Sequence, residues 1–260
     1  MARIVTGWRR LARALRRHGF AGSLRLVPAN LRHALAWLRP HSFRARRAIA
    51  AFDRRFGVDT AGFRAVTSLD VPPALAAHAV RYEPVAEIAP YLGALAIRFE
   101  DYSFIDYGSG KGRVLLMASD FPFRQITGIE FAPELAAIAR RNLERYRSQN
   151  QKCAAIEVIE GDAGAFAPKP GPTVFFLYNP FDGVVLDRVL ARIRESGAVP
   201  SLVSYLIYVD PRHRASIDRD PVWEIAADHR SWVLYRTRTA APRGADGARP
   251  GAAAAASPIS

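Results

Sequence analysis

Between residues 102 and 209, short apolar runs alternate with segments whose apolar positions recur every three to four residues. The runs at 102–107, 125–130, 155–159, 173–178 and 202–209 have strand length and are bounded by turn residues. The segments between them have helical spacing. One follows the first run to about Ser119. A second covers 133–147, with Leu135, Ile138, Ala139 and Leu143 on one face. A third covers 182–195. Strand-helix alternation of this kind implies a parallel sheet with helices on both faces. Two further runs, 222–225 and 232–235, are separated by a polar turn and predict a hairpin.

Upstream, the pattern is helical and basic. Ile4, Trp8, Leu11 and Leu15 share one face, and Leu31, Leu35, Trp37 and Leu38 make a shorter stripe ending at Pro40. Tyr82-Glu83-Pro84 leads into Val85, Ile88, Ala89, Leu92 and Leu95, which predicts a helix with Pro84 in its first turn. From Ala240 onward the chain is Ala, Pro, Gly and Ser, too little to bury, and reads as a disordered tail. The expected class is α/β: a doubly wound, mostly parallel sheet with a C-terminal antiparallel hairpin, preceded by an N-terminal helical extension. The expected divisions are a basic helical extension over 1–98, a core over 99–239 and a tail over 240–260.

Charge sharpens this picture. The chain carries a formal +13 over its 260 residues, and its first acidic residue is Asp53, after twelve arginines. The positive field therefore sits at one end. The simplest reading packs these helices on the core with the arginines solvated. The alternatives are contact with an anionic membrane surface or with nucleic acid, and Trp and Leu opposite Arg favour the membrane. A single cysteine, Cys153, excludes an internal disulfide and a cysteine zinc cluster. No apolar run approaches the roughly 20 residues that span a bilayer. The start lacks the apolar core of a signal peptide; it is Arg-rich like an organellar transit peptide but poor in serine. The expected location is the cytoplasm, with peripheral membrane contact through the basic end.

Candidate chemistry gathers at the strand ends. Asp106-Tyr107-Gly108-Ser109-Gly110-Lys111-Gly112-Arg113 reads as the end of a strand, a glycine turn and the start of a helix. Gly108, Gly110 and Gly112 permit a sharp turn and close approach to a ligand. Arg113 stands where the dinucleotide fingerprint places glycine, which disfavours a nicotinamide oxidoreductase. Glu130, Asp162 and Asn179 end the next three strands. In open α/β sheets, ligands bind at these carboxyl ends. The six histidines (18, 33, 41, 78, 213 and 229) lack metal-ligand spacing and read as structural or solvent-facing.

Residues 104–181 resemble the cofactor-binding half of class I S-adenosylmethionine-dependent methyltransferases. The resemblance rests on Asp106 to Gly112, on Glu130, on Gly161-Asp162-Ala163 and on Asn179-Pro180-Phe181. The terminal hairpin is similar to the family's reversed seventh strand. The resemblance implies S-adenosylmethionine as cofactor. Gly108 and Gly110 would lie against its methionine part, and Asp106 would help position its amino group. Glu130 would accept from both ribose hydroxyls and Asp162 from the adenine amine. Phe131 and Ala163 would pack on the ring.

Asn179, Pro180 and Phe181 resemble the catalytic element of amino-directed methyltransferases, with one proline where that element has two. They are similar also to a shorter element of seven-strand lysine methyltransferases. The implied reaction is methyl transfer to nitrogen, protein lysine first. Nucleobase, lipid amine and small-molecule acceptors remain open, and no general base is evident. The alternative is a non-catalytic cofactor-binding or membrane-surface module.

Overall fold

The computed structural model describes residues 40–62, 71, 73–79, 82–197 and 203–238. The basic stripes before Pro40 and the tail from Ala240 lie outside the described residues.

Helix α1 (Pro40–Phe56) comes first. Pro40 opens this helix, where the sequence pattern made it a terminator; proline suits a first turn because its missing N–H has no partner to lose there. Then follow β1 (Ser103–Tyr107), α2 (Arg113–Ala118), β2 (Gln125–Glu130), α3 (Pro133–Arg145) and β3 (Ile156–Glu160). After them come β4 (Thr173–Tyr178), α4 (Gly183–Glu195), β5 (Tyr205–Val209), β6 (Trp223–His229) and β7 (Trp232–Thr237).

The sheet order is β3-β2-β1-β4-β5-β7-β6. The first five strands pair in parallel, and β7 runs antiparallel to both β5 and β6. The expected class and the reversed strand are therefore both present. Strand order reverses between β1 and β4, which opens a crevice at their carboxyl ends.

Alternate residues of the central strands feed two apolar layers, as the two-residue period of a strand requires. Ile105, Tyr107, Phe175 and Leu177 face Leu186, Val189, Leu190 and Ile193 of α4. Phe104, Val174, Phe176 and Ile207 face Val114, Leu115 and Ala118 of α2, together with Leu92. Burial on both faces explains why these strands are apolar throughout.

The helix expected over 84–95 shrinks to Ala89–Leu92. Pro90 cannot donate back to the Ala86 carbonyl. The Arg113 guanidinium occupies the vacated acceptors, with Nε 2.5 Å from Val85 O and Nη2 3.1 Å from Ala86 O. Val85, Ile88, Leu92 and Leu95 are still buried, so their apolar spacing reports burial and not helix. Among the described residues, no helix is long and apolar enough to cross a membrane.

Candidate active site

The glycine turn after β1 is shaped by what lies against it. Gly108 and Gly110 have φ of 82° and 56°, the left-handed region that side chains avoid. A Cβ on Gly108 would sit 2.4 Å from Pro180 Cβ, and one on Gly110 would sit 2.2 Å from Cε2 of Tyr82. The turn is thus packed between the strand-four element and a tyrosine from the 82–86 segment. Gly112 does a different job. It caps the N-terminus of α2 and lets Ala139 of α3 approach to 3.1 Å from its Cβ position.

Glu130 locks this turn to β2. Its Oε2 accepts from the Gly110 N–H at 2.7 Å and its Oε1 from the Ala132 N–H at 2.9 Å. Burial pushes its carboxyl up to about 7, and the backbone donors only partly offset that cost. Each oxygen retains a further lone pair for a ligand hydroxyl. Asp106 is also buried, and its Oδ2 has no hydrogen-bond partner. Burial first, and the Glu130 carboxylate second, hold its carboxyl well above the ordinary range. Two adjoining buried carboxyls, one with an orphaned oxygen, make a site that a cationic, hydroxylated ligand would satisfy.

A cleft of about 920 Å³, counting space open to solvent, runs along these strand ends. Asp106, Gly108, Glu130, Phe131, Asp162, Ala163, Pro180 and Phe181 all line it. Asp162 meets the cleft while its Oδ1 accepts from the Gly164 N–H and its Oδ2 pairs with Arg188 at 2.9 Å. Gly110, Gly112 and Asn179 are not among the lining residues. Asn179 takes φ of 41°, which asparagine tolerates. Its Nδ2 donates to Asp210 Oδ2 at 3.3 Å and its Oδ1 lies 3.5 Å from the Tyr208 hydroxyl, so the amide is directed at the end of β5.

Several participants gave no local signal. Lys111 and Arg113, the charged residues of the glycine motif, reach back to the segment after α1. Lys111 Nζ donates to Asp59 Oδ1 and to Ala61 O, each at 2.7 Å. Arg113 Nη1 donates to Thr60 Oγ1 at 2.9 Å, and its guanidinium lies 4.3 Å from the Phe52 ring centre. Thr60 O in turn accepts from the Tyr82 hydroxyl at 2.6 Å. The result is a strap over the turn, made of residues 52–61 and 82–86. His78 also lines the cleft, paired to Asp182 at 2.7 Å.

No family model matches this chain. Over 51 residues, 19% of the chain, it is 43% identical to the release factor glutamine methyltransferase of Vibrio cholerae. The match spans only 18% of that relative's length. Among solved structures, it is similar to an RNA methyltransferase from Salinibacter ruber in complex with S-adenosyl-L-homocysteine. The identity is 20% and the TM-score 0.44, covering 64% of this chain and 99% of the other. It is similar also to a ribosomal protein L11 methylase from Lactobacillus delbrueckii subsp. bulgaricus. There the identity is 11% and the TM-score 0.38, covering 53% of this chain and 69% of the other. Such scores say nothing of chemistry; the architecture stands on the strand order and the site on its own geometry.

Proposed function

We propose that this chain, whose seven-stranded sheet with a reversed last strand has the architecture of the class I S-adenosylmethionine-dependent methyltransferases, binds S-adenosylmethionine and transfers its methyl group. The observation that carries this reading is the pair of buried carboxyls, Asp106 and Glu130, beside one glycine turn at the switch between β1 and β4. When bound, the cofactor supplies a methyl group already activated by its sulfonium.

The chain's own residues then have definite tasks. Glu130 accepts from the ribose hydroxyls through the lone pairs its backbone donors leave open. The orphaned Oδ2 of Asp106 receives the ligand's ammonium, a charge that repays the cost of its burial. Gly108 and Gly110 keep side chains out of the space beside the methionine part. Phe131 and Ala163 flank the adenine, and Asp162 accepts from its amine. The Tyr82 strap and Pro180 wall the reacting end, which excludes water and aligns the acceptor behind the S–CH₃ bond.

We favour nitrogen as the acceptor, in a protein side chain and lysine first. The aromatic and apolar wall of Tyr82, Tyr178, Pro180 and Phe181 suits a centre that gains positive charge as the bond forms. The curated relative, by its name, also modifies a protein side chain, glutamine of a release factor. Asn179 would orient the acceptor only after releasing Asp210. The test is incubation of the purified protein with methyl-labelled S-adenosylmethionine in a lysate from a strain lacking it. The lysate is then fractionated into protein, RNA, lipid and small molecules. Label entering protein, at lysine on hydrolysis, is the expected outcome. Label confined to RNA or lipid overturns the acceptor, and no label in any fraction overturns methyl transfer.

A further inference from the structure

The reaction as described lacks a group to neutralise its acceptor. A lysine amine has a pKa of about 10.4, so roughly one in a thousand is neutral near pH 7.5. We propose that His78, held by Asp182, is the general base that takes this proton from a cationic amine acceptor. The proposal rests on the methyl-transfer reading above.

Asp182 is fixed before it meets the imidazole. Its Oδ1 caps α4 by accepting from the Val184 and Val185 N–H groups at 3.0 and 3.2 Å. Its own N–H donates to His78 O at 2.9 Å, and a bridge between Ala79 and Phe181 ties the same two segments together. That leaves Oδ2 for His78 Nδ1, 2.7 Å away. A carboxylate on Nδ1 holds the proton there, so Nε2 becomes the accepting nitrogen, and the carboxylate stabilises the imidazolium once formed. Among the described residues Nε2 has no bonded partner. The side chain is 37% exposed and lines the cleft beside Phe181, where a proton can leave to solvent after each turnover.

Beside the three carboxyls assigned to the cofactor, Asp106, Glu130 and Asp162, the cleft that His78 lines carries a fourth acidic residue, Glu83, which favours a cationic acceptor. Its one arginine, Arg113, is committed to Val85 O, Ala86 O and Thr60 Oγ1. The other titratable groups facing this corner are Asp182, bonded to the imidazole, Glu83 on the cleft wall, and His213, whose Nδ1 lies 3.6 Å from the Cβ position of Gly183 at the start of α4. An amine entering this cleft is drawn in charged and must lose a proton to react. That proton passes to Nε2. The freed lone pair forms the N–C bond as the methyl's bond to sulfur breaks. The electron pair of that bond stays on sulfur, which leaves as the neutral thioether, and the methylated amine carries the positive charge.

The experiment measures label transfer from methyl-labelled S-adenosylmethionine to poly-L-lysine by the full chain and by His78→Asn, whose amide can still donate to Asp182. Calorimetry on both proteins checks cofactor binding first. Absence of binding in the wild type overturns the methyltransferase reading itself and is thereby distinguished from failure of this proposal. With binding intact in both, His78→Asn should be slower by about 100-fold near neutral pH, within the usual range for a general base. The deficit should shrink to a few fold at about pH 10, where roughly 30% of the amine is neutral without help. A structural lesion would leave the deficit constant with pH. Should His78→Asn lose its circular-dichroism spectrum, Asp182→Asn, which keeps the cap acceptor, replaces it and should lose about tenfold near neutral pH. A variant that keeps its rate, a deficit that does not change with pH, or a wild type that binds cofactor yet leaves poly-L-lysine unlabelled overturns the proposal.

Discussion

Replacing Glu130 with glutamine should change how the stability of the fold depends on pH, and in the direction opposite to that of most carboxylates. In the unfolded chain Glu130 ionises near 4.5; in the folded chain, buried beside Asp106, it ionises at about 7. Between these values the native state holds a proton that the unfolded state has released. Stability contributed by this group is therefore full below the lower value, falls as pH rises through the window, and is level again above it. The shift corresponds to about 3 kcal/mol. Glutamine cannot ionise, so it escapes the loss. It also presents an amide where one backbone N–H needs an acceptor, a fixed penalty of about 1–3 kcal/mol at every pH. Subtracting wild-type from Glu130→Gln stability across the pH range cancels that constant. The assay is urea unfolding followed by fluorescence of Trp223, which is 1% exposed and will report its release. The glutamine variant should gain about 3 kcal/mol on the wild type between about pH 4.5 and 8, with Asp106 adding in the same direction because its repelling neighbour is gone. A difference that stays flat across this range would refute the assignment of a neutralised, buried carboxyl at the end of β2.

Two further perturbations probe the packing around the turn. Gly110→Ala places a Cβ 2.2 Å from the Tyr82 ring at φ of +56° and should cost about 2 kcal/mol or more in thermal unfolding. Gly57→Ala, at φ +67° with nothing within 4 Å, should cost only the backbone part, and equal losses would show that Tyr82 does not cover the turn. Arg113→Leu strands the Val85 and Ala86 carbonyls and should destabilise by about 3 kcal/mol. Hydrogen exchange should then quicken over 82–88 and leave β4 protected; unchanged exchange at 82–88 would remove Arg113 from the strap.

Periodicity was a good guide where one element faces one layer. The alternating runs mark β1, β2, β4 and β5 because a parallel sheet buried on both faces needs continuous apolar strands, and the polar residues at or just past the ends of the first three, Asp106, Glu130 and Asn179, mark the rim. The glycine motif was legible for the same local reason: its turn demands positive φ within five residues. Contacts distant in sequence were not legible. Lys111 and Arg113 look like ordinary loop charges until Asp59 and Thr60, more than 50 residues upstream, are brought beside them. His78 and Asp182 are 104 residues apart, and although Asp182 directly follows Asn179-Pro180-Phe181, nothing near His78 in sequence points to it. The spacing from Val85 to Leu95 misled because burial of apolar residues on an irregular segment can imitate a helical stripe; Pro90 and the Arg113 side chain decide against the helix. Asn179 ended its strand as expected, yet the partner of its amide, Asp210, sits at the end of a strand paired only in three dimensions.

Titration calorimetry of the full chain with S-adenosylmethionine tests the claim that Asp106, Glu130 and the glycine turn form one cationic-nucleoside site. One equivalent should bind. Near pH 6.5, buffers of differing ionisation enthalpy should reveal release of about one proton, as the ligand's charge draws the raised carboxyls into their ionised form. Glu130→Ala should weaken binding by about 100-fold, the loss of roughly 3 kcal/mol in charge-assisted hydrogen bonds. Absence of heat and of any thermal shift at about millimolar ligand, or an alanine variant that binds as well as the wild type, would contradict the account.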